Sequence, residues 1–254
     1  MQTGYQAKSS HGLIKGCIGC IDGLLVKIKR PSKKECGNTP SSYYSGHYCC
    51  YGLNIQAVCD VNLCFIFFAI AAPGKSSDQA ALEKTSLNSI LNQLPLGSYI
   101  IGDAAYTVSD QMLVPFTGSH RQDSCKDSFN YFLSQMRIRI EMSFGLLTNK
   151  WRILQSPMQT SLSNSSDIIM ATSRLHNFVI TVDSRKDDSL DSILVASGSP
   201  LNWGYCPTAE KLNPIPGTSQ VRDIILRQVS RYGLRRPALN IERRRAELHE
   251  IGLM

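Results

Sequence analysis

The chain has 254 residues, 43% of them hydrophobic, with 27 Lys and Arg against 20 Asp and Glu for a net charge of +7. This length and apolar content fit one large domain, or one domain with an appendage, and exclude wholesale disorder. The longest apolar run, Leu63 to Pro73, is too short to span a bilayer, and Met1 to Ser10 lacks the apolar core of a signal peptide, so the expected protein is soluble, intracellular and without a membrane partner.

Charge and cysteine usage narrow the partners. Seven Lys or Arg between Met1 and Lys34 face one acid, Asp22, and eight Arg between Arg222 and Arg245 face only Asp223 and Glu242. Basic ends of this kind suit a polyanion, nucleic acid being the commonest, while either end alone is also consistent with a solubilising charge excess. Nine cysteines include Cys17-Ile-Gly-Cys20, but no second C-x-x-C or C-x-x-H follows to complete a zinc set. The odd count without a secretion signal favours reduced thiols, and Cys49-Cys50, Cys59 and Cys64 lie in apolar, strand-like surroundings where free Cys acts as a small hydrophobe.

Met1 to Lys15 is polar, basic and aperiodic, and is expected to be a tail. Gly16 to Ile28 reads as the first strand. Its apolar residues surround one carboxylate, Asp22, and Lys27 and Lys29 alternate with Val26 and Ile28 at a half-exposed far end. An acid inside such a run is either a bulge or strand-end residue beside Gly23 or a working group. Pro31 to Gly46 reads as a loop that sets Tyr43-Tyr44 among basic residues. Tyr48 to Asp60 and Leu63 to Ala72 read as a hairpin with Asp60 in its turn. After Pro73-Gly74, Ser76-Ser77-Asp78 supplies capping chemistry for a helix expected to reach Gln93, with Asp78 as a cap or first-turn acid.

Tyr99, Ile100 and Ile101 then read as a short strand buried on both faces. Gly102 ends it and Asp103 sits at its carboxyl end, where sites collect in open α/β sheets; the plain alternative is a turn aspartate. Val114 to Ser119 reads as a loop. A long helix is predicted over Asp127 to Leu147, because Phe129, Phe132, Leu133, Met136, Ile140, Phe144 and Leu147 form one apolar stripe. Glu141 lies beside the stripe, with Arg137 one turn earlier on the same face, either as a surface ion pair or as the edge of a site with Arg137 near a phosphate. Asp167 to Val182 predicts a further helix, capped by Ser165 or Ser166. Its His176-Asn177 reads as a hydrogen-bonded core pair, since no Ser or Cys nucleophile accompanies it. Asp183 to Pro216 is rich in Ser, Asp, Gly and Pro and reads as a linker, followed by an amphipathic basic helix over Ser219 to Tyr232 and a basic tail.

The order of elements is that of an α/β protein whose mixed sheet can bring Asp22, Asp103 and Glu141 to one end. Clustered carboxylates repel unless cations neutralise them, and hard oxygen ligands select Mg²⁺ or Mn²⁺. Two such ions would suit phosphodiester cleavage.

These residues resemble the DDE-type nuclease domain of PIF/Harbinger transposases and their domesticated relatives. Cys20-Ile-Asp-Gly23 resembles the first-Asp motif, Tyr51 to Asp60 the following strand and turn, and Pro73-Gly-Lys-Ser-Ser-Asp78 the Pro-Gly…Asp helix start. Gly102-Asp-Ala-Ala-Tyr106 resembles the second-Asp motif. Asn130 with Arg137-Ile-Arg-Ile-Glu141, Phe144-Gly145 and Trp151-Arg152 resembles the Glu helix, and His176-Asn177 the helix after it. The resemblance covers about Gly16 to Ile180. It implies an RNase H-like mixed sheet flanked by helices, with Asp22, Asp103 and Glu141 as catalytic metal ligands for Mg²⁺ or Mn²⁺, two ions, in a DNA-cleaving site. Lys27, Lys29 and Arg137 are the candidate nucleic-acid contacts. The expected organisation is a basic tail at 1–15, a nuclease domain at 16–182, a linker at 183–217 and a basic helical segment at 218–254, in a nuclear protein. The family usually carries a helical DNA-recognition region before the nuclease domain. Here about fifteen residues precede it, which leaves target selection either lost or supplied by a separate DNA-binding partner. The basic residue usual after the helix's Phe-Gly is replaced within Leu146-Leu-Thr148.

Two other readings compete with a working nuclease. One is a non-catalytic remnant that binds DNA or a protein; the intact triad argues against it and the short N-terminal region for it. The other is a dehalogenase-type phosphatase, since Ile21-Asp-Gly and Gly102-Asp superficially fit. That chemistry needs a nucleophilic Asp at position 20, which is Cys, and a further acid where Thr107 stands.

Overall fold

A computed structural model of the protein describes residues 2–118, 123–186 and 219–237. Strands β1 (Cys17–Lys27), β2 (Tyr44–Ser45), β3 (Cys50–Cys59), β4 (Phe65–Pro73), β5 (Tyr99–Ile101) and β6 (Met112–Leu113) form one sheet. Its order is β2-β3-β1-β5-β6, with β4 also paired to β3. β1, β3 and β4 run antiparallel as a meander, and β5 and β6 continue parallel to β1. Helices α1 (Gln2–Lys8), α2 (Asp78–Leu82), α3 (Leu87–Leu91), α4 (Ser124–Lys150), α5 (Leu162–Lys186) and α6 (Gln220–Arg231) flank it. This is a mixed α/β sheet with the order and directions of an RNase H-like fold.

Each face of the sheet buries a separate core. On one face Cys20, Ile55, Ala57 and Ile101 meet the α4 stripe, whose seven apolar residues are all buried. On the other, Ile21, Val58, Ile100 and Met112 meet Leu82, Leu87 and Leu91 of the two short helices. The alternation of Cys20 and Ile21 between the two cores follows from the two-residue period of a strand. Burial of each large side chain in the α4 stripe contributes about 1.5–3 kcal/mol, enough to fix α4 against β1.

Several elements differ from expectation. The segment expected to be a tail contains α1, whose Tyr5 is buried and donates its hydroxyl to the Cys59 carbonyl at 3.1 Å. Leu13 and Ile14 are buried with it. A seven-residue helix with one anchoring aromatic is too short to display periodicity. The helix expected over 76–93 is two helices. Thr85 donates to the Leu82 carbonyl and accepts from the Leu87 amide, so its hydroxyl closes one helix and starts the next. Ser161 rather than Ser165 or Ser166 caps α5, accepting the Asn164 amide at 3.2 Å. The expected linker at 183–217, from residue 187 on, and the basic tail beyond residue 237 lie outside the described residues.

Within the described residues no helix is long and apolar enough to cross a membrane. Asp60 does the turn work expected of it, accepting the Asn62 and Cys64 amides. His176 and Asn177 are likewise structural. A His176 ring nitrogen lies 2.8 Å from the Leu63 carbonyl, and Asn177 both donates to and accepts from the Phe65 backbone.

Candidate active site

Parallel pairing sets the first two acids level. The last paired positions of β1 and β5 are Cys20 and Ile101, and Asp22 and Asp103 each lie two residues further on. Asp22 projects to the α4 face, because Ile21 and Gly23 occupy the opposite one. There it meets Arg137, 3.7 Å away. The same guanidinium nitrogen lies 2.8 Å from Glu141, one helical turn along α4. The apolar stripe that docks α4 on the sheet therefore also fixes where Arg137 and Glu141 fall.

Asp22 is half-buried, and its carboxyl is pushed up to about 6. Burial is the main cause; the Gly23 amide and Arg137 pull the other way, and Asp103 and Asp78 add negative charge. Asp103 opens the turn after β5 and accepts the Ala105 amide at 2.9 Å. Lys27 is exposed at the end of β1, and Lys29 is exposed two residues beyond, its amide bonded to the Met158 carbonyl. Neither lysine has a placed role in the acid group.

The donor chemistry fits a hard divalent cation: carboxylate oxygens, with no thiolate or imidazole among them. Among the described residues, however, no three His, Cys, Asp or Glu side chains are gathered closely enough to hold an ion. Arg137 lies between Asp22 and Glu141 and offers one positive charge to the pair. Zinc chemistry at Cys17 and Cys20 has no support, since both are fully buried, Cys20 donates to the Met136 carbonyl, and burial pushes its thiol well above the usual range.

The structure adds a polar network under the acids that the sequence reading missed. Asp78 accepts from Asn54 at 3.1 Å and from Gln56 at 3.0 Å, both on one carboxylate oxygen. Gln56, fully buried, accepts the Tyr106 hydroxyl at 2.7 Å. Of Ser76-Ser77-Asp78, Ser77 is the cap and accepts the Ala80 amide, and Asp78 is the first-turn acid of α2, one of the two roles expected of it. A signal was available: Asn54 and Gln56 interrupt the apolar run of β3 two residues apart, hence on one face.

The domain is thus an RNase H-like one, with Asp22 on β1, Asp103 in the turn after the parallel neighbour β5, and Glu141 on the helix packed across them. Over residues 21–177, more than half its length, the chain matches the family described as DDE superfamily endonuclease, and it belongs to that family. It is similar to "Putative nuclease HARBI1" of Mus musculus, 27% identical over 166 residues, covering 64% of this chain and 45% of that protein. It is also similar to "Protein ALP1-like" of Arabidopsis thaliana, 23% identical over 230 residues, covering 83% of this chain and 55% of that protein. The chain thus spans about half the length of the curated relatives it matches. No solved structure matches it. The resemblance to PIF/Harbinger transposase-derived nucleases expected from the motifs holds.

Proposed function

We propose that the protein is a divalent-metal-dependent DNA endonuclease of the transposase-derived type, acting in the nucleus, with Asp22, Asp103 and Glu141 as the metal-holding triad. The observation that carries this reading is the placement of Asp22. Asp22 is a half-buried carboxylate level with Asp103, raised chiefly by burial, and Arg137 sets it beside Glu141; burial plus neighbouring charges is the setting in which working acids are found.

Bound Mg²⁺ or Mn²⁺, two ions by likeness to the family, would supply charge neutralisation and an activated water for phosphodiester hydrolysis. The chain's own residues do the rest. Asp22 would present its oxygens from the middle of β1, Asp103 from the turn after β5, and Glu141 from α4. Arg137, released from its carboxylates, would meet a backbone phosphate on the α4 face, whereas Lys27 projects from the opposite face of β1 and would contact nucleic acid only beyond the acid group.

Thermal unfolding with and without Mn²⁺, for wild type and Asp103→Asn, tests the reading. Metal at a hundredfold excess over its dissociation constant adds about 2.7 kcal/mol to a protein that binds it only when folded. The wild type is expected to gain this stabilisation and Asp103→Asn to lose it, with cleavage of supercoiled DNA following the same pattern. The Arg137 bridge favours a second reading, a non-catalytic DNA- or protein-binding remnant, because a side chain already pairs with two of the three acids. Tight DNA binding with no metal response in either protein would select it.

A further inference from the structure

The glycines beside the two aspartates, and Asp78, which the triad does not use, belong to one construction. Gly23 follows Asp22 and faces away from α4. A Cβ there would run into the Asp78 carboxylate, so the missing side chain is the space that Asp78 fills. Gly102 precedes Asp103, and a Cβ there would lie 2.8 Å from the Tyr106 ring and 3.1 Å from Ile21. Each Asp-Gly or Gly-Asp pair therefore supplies an acid for one purpose and a gap for another.

The residues that fill the two gaps are joined to each other. The Gln56 amide donates to Asp78 through Nε2 and to the Asn54 side-chain oxygen, and accepts the Tyr106 hydroxyl through Oε1. The amide can face only this way, since the reverse would set its oxygen against a carboxylate, which has no proton to give. Tyr106 belongs to the turn that Asp103 opens; its amide donates to the Asp103 carbonyl at 3.4 Å. The neighbouring Gln79 reaches the same turn directly, accepting the Thr107 amide at 2.9 Å. The start of α2 thus grips the Asp103 turn by two routes, while Asn54 also donates to the Ser76 carbonyl and ties α2 to β3. Ala104, Ala105 and Thr107 are exposed, so apart from these bonds the turn is held by the buried Tyr106 and Val108 side chains and by the Asp103–Ala105 bond.

We propose that Asp78 is a positioning residue of the candidate site: through Gln56 and Tyr106 it fixes the turn that carries Asp103 in register with Asp22. The functional weight of this role rests on the reading of Asp22 and Asp103 as working acids. The positioning itself does not.

Hydrogen exchange on the metal-free protein, followed by mass spectrometry, separates the two. Tyr106→Phe is the mild variant, deleting one hydroxyl and keeping the ring that packs against Gly102. Asp78→Ala removes the acceptor, and Asp78→Asn keeps an acceptor oxygen while removing the charge. Residues 102–107 are expected to exchange about tenfold faster in Asp78→Ala and Tyr106→Phe, near the wild-type rate in Asp78→Asn, with α4 unchanged throughout. Unchanged exchange at 102–107 would overturn the proposal. So would a rise shared equally by α4, which would make Asp78 a general stabiliser, or an Asp78→Asn that behaves as Asp78→Ala. Mn²⁺ titration of the same proteins gives the functional readout: binding about ten- to hundredfold weaker in Asp78→Ala than in wild type. If the wild type takes up no Mn²⁺, the metal reading fails and the exchange result still decides the positioning.

Discussion

The Arg137 guanidinium stands 3.7 Å from the Asp22 carboxylate, joining α4 to β1 by charge across the apolar packing between them. Asp22 lies against the sheet and is raised chiefly by burial, and Arg137 is one of the groups that restrain the rise. Replacing it by an uncharged side chain of similar length, Arg137→Met, is expected to move the Asp22 carboxyl upward from about 6. The side-chain carboxyl carbon of Asp22, followed by NMR through a pH titration of the metal-free protein, reads this directly. A titration that stays put or moves down would show that Arg137 does not hold the carboxylate.

The same burial makes the metal-free protein pH-sensitive. Asp22 rises from 3.8 to about 6 on folding, so between those values the folded state holds a proton that the unfolded chain has released. Its contribution to stability is complete below about pH 4 and is lost as the pH climbs through 6. The size is on the order of 2–3 kcal/mol as an upper bound, since one pK unit is about 1.4 kcal/mol. Asp22→Asn has no proton to lose. Denaturant melts of the two proteins at pH 4 and pH 7.5 should therefore diverge, with the asparagine variant relatively more stable at the higher pH. Added Mn²⁺ should reverse the order, because only the wild type offers the ion its carboxylate. Parallel pH profiles for the two proteins would rule out a raised Asp22.

Gly23 and Gly102 give a test of packing. Gly23→Ala puts a methyl group where the Asp78 carboxylate lies, and Gly102→Ala puts one 2.8 Å from the Tyr106 ring. Overpacking of this kind costs about 1–3 kcal/mol. Both substitutions should lower the melting temperature, and Gly23→Ala should disturb Asp78 more than it disturbs Asp22, which points to the other face. Combining Gly23→Ala with Asp78→Ala should recover part of the loss, since the second change clears the space. A double variant that is simply additive would mean the two residues do not compete for it.

The architecture was legible where periodicity was long or punctuation sharp. The seven-residue stripe of α4, the meander strands and the strand ending at Ile101 all follow from residue pattern, and so does the level placement of Asp22 and Asp103 once β1 and β5 are parallel. Short elements were not legible: α1 is a seven-residue helix anchored by Tyr5, and β6 is two residues long. The candidate acids stood out in the sequence, whereas the residues that contact them did not. Asp78 stands at a helix start, where acids are common for a reason that has nothing to do with a site, so its local context concealed its contacts across the sheet. Arg137 was visible as a helical ion pair with Glu141, but its reach to Asp22 depends on how α4 lies over β1, which no spacing within α4 reveals.

His176 provides the converse case, a histidine in a nuclease-type fold that the structure removes from the chemistry. Only 2% exposed, it presents a ring nitrogen 2.8 Å from the Leu63 carbonyl, and a nitrogen facing a carbonyl oxygen must carry the proton. Burial lowers its pKa below 6.5, with the Leu63 carbonyl opposing. Its contribution to stability is therefore present above about pH 6.5 and is lost as the pH falls through the folded value, where the buried ring must charge. His176→Phe keeps the ring packed against Phe65 and leaves the Leu63 carbonyl without this donor. It is expected to cost about 1–3 kcal/mol at neutral pH, to lose less than the wild type on acidification, and to retain the full Mn²⁺-induced stabilisation. Loss of the metal response in His176→Phe, at unchanged global stability, would instead bring this histidine into the site.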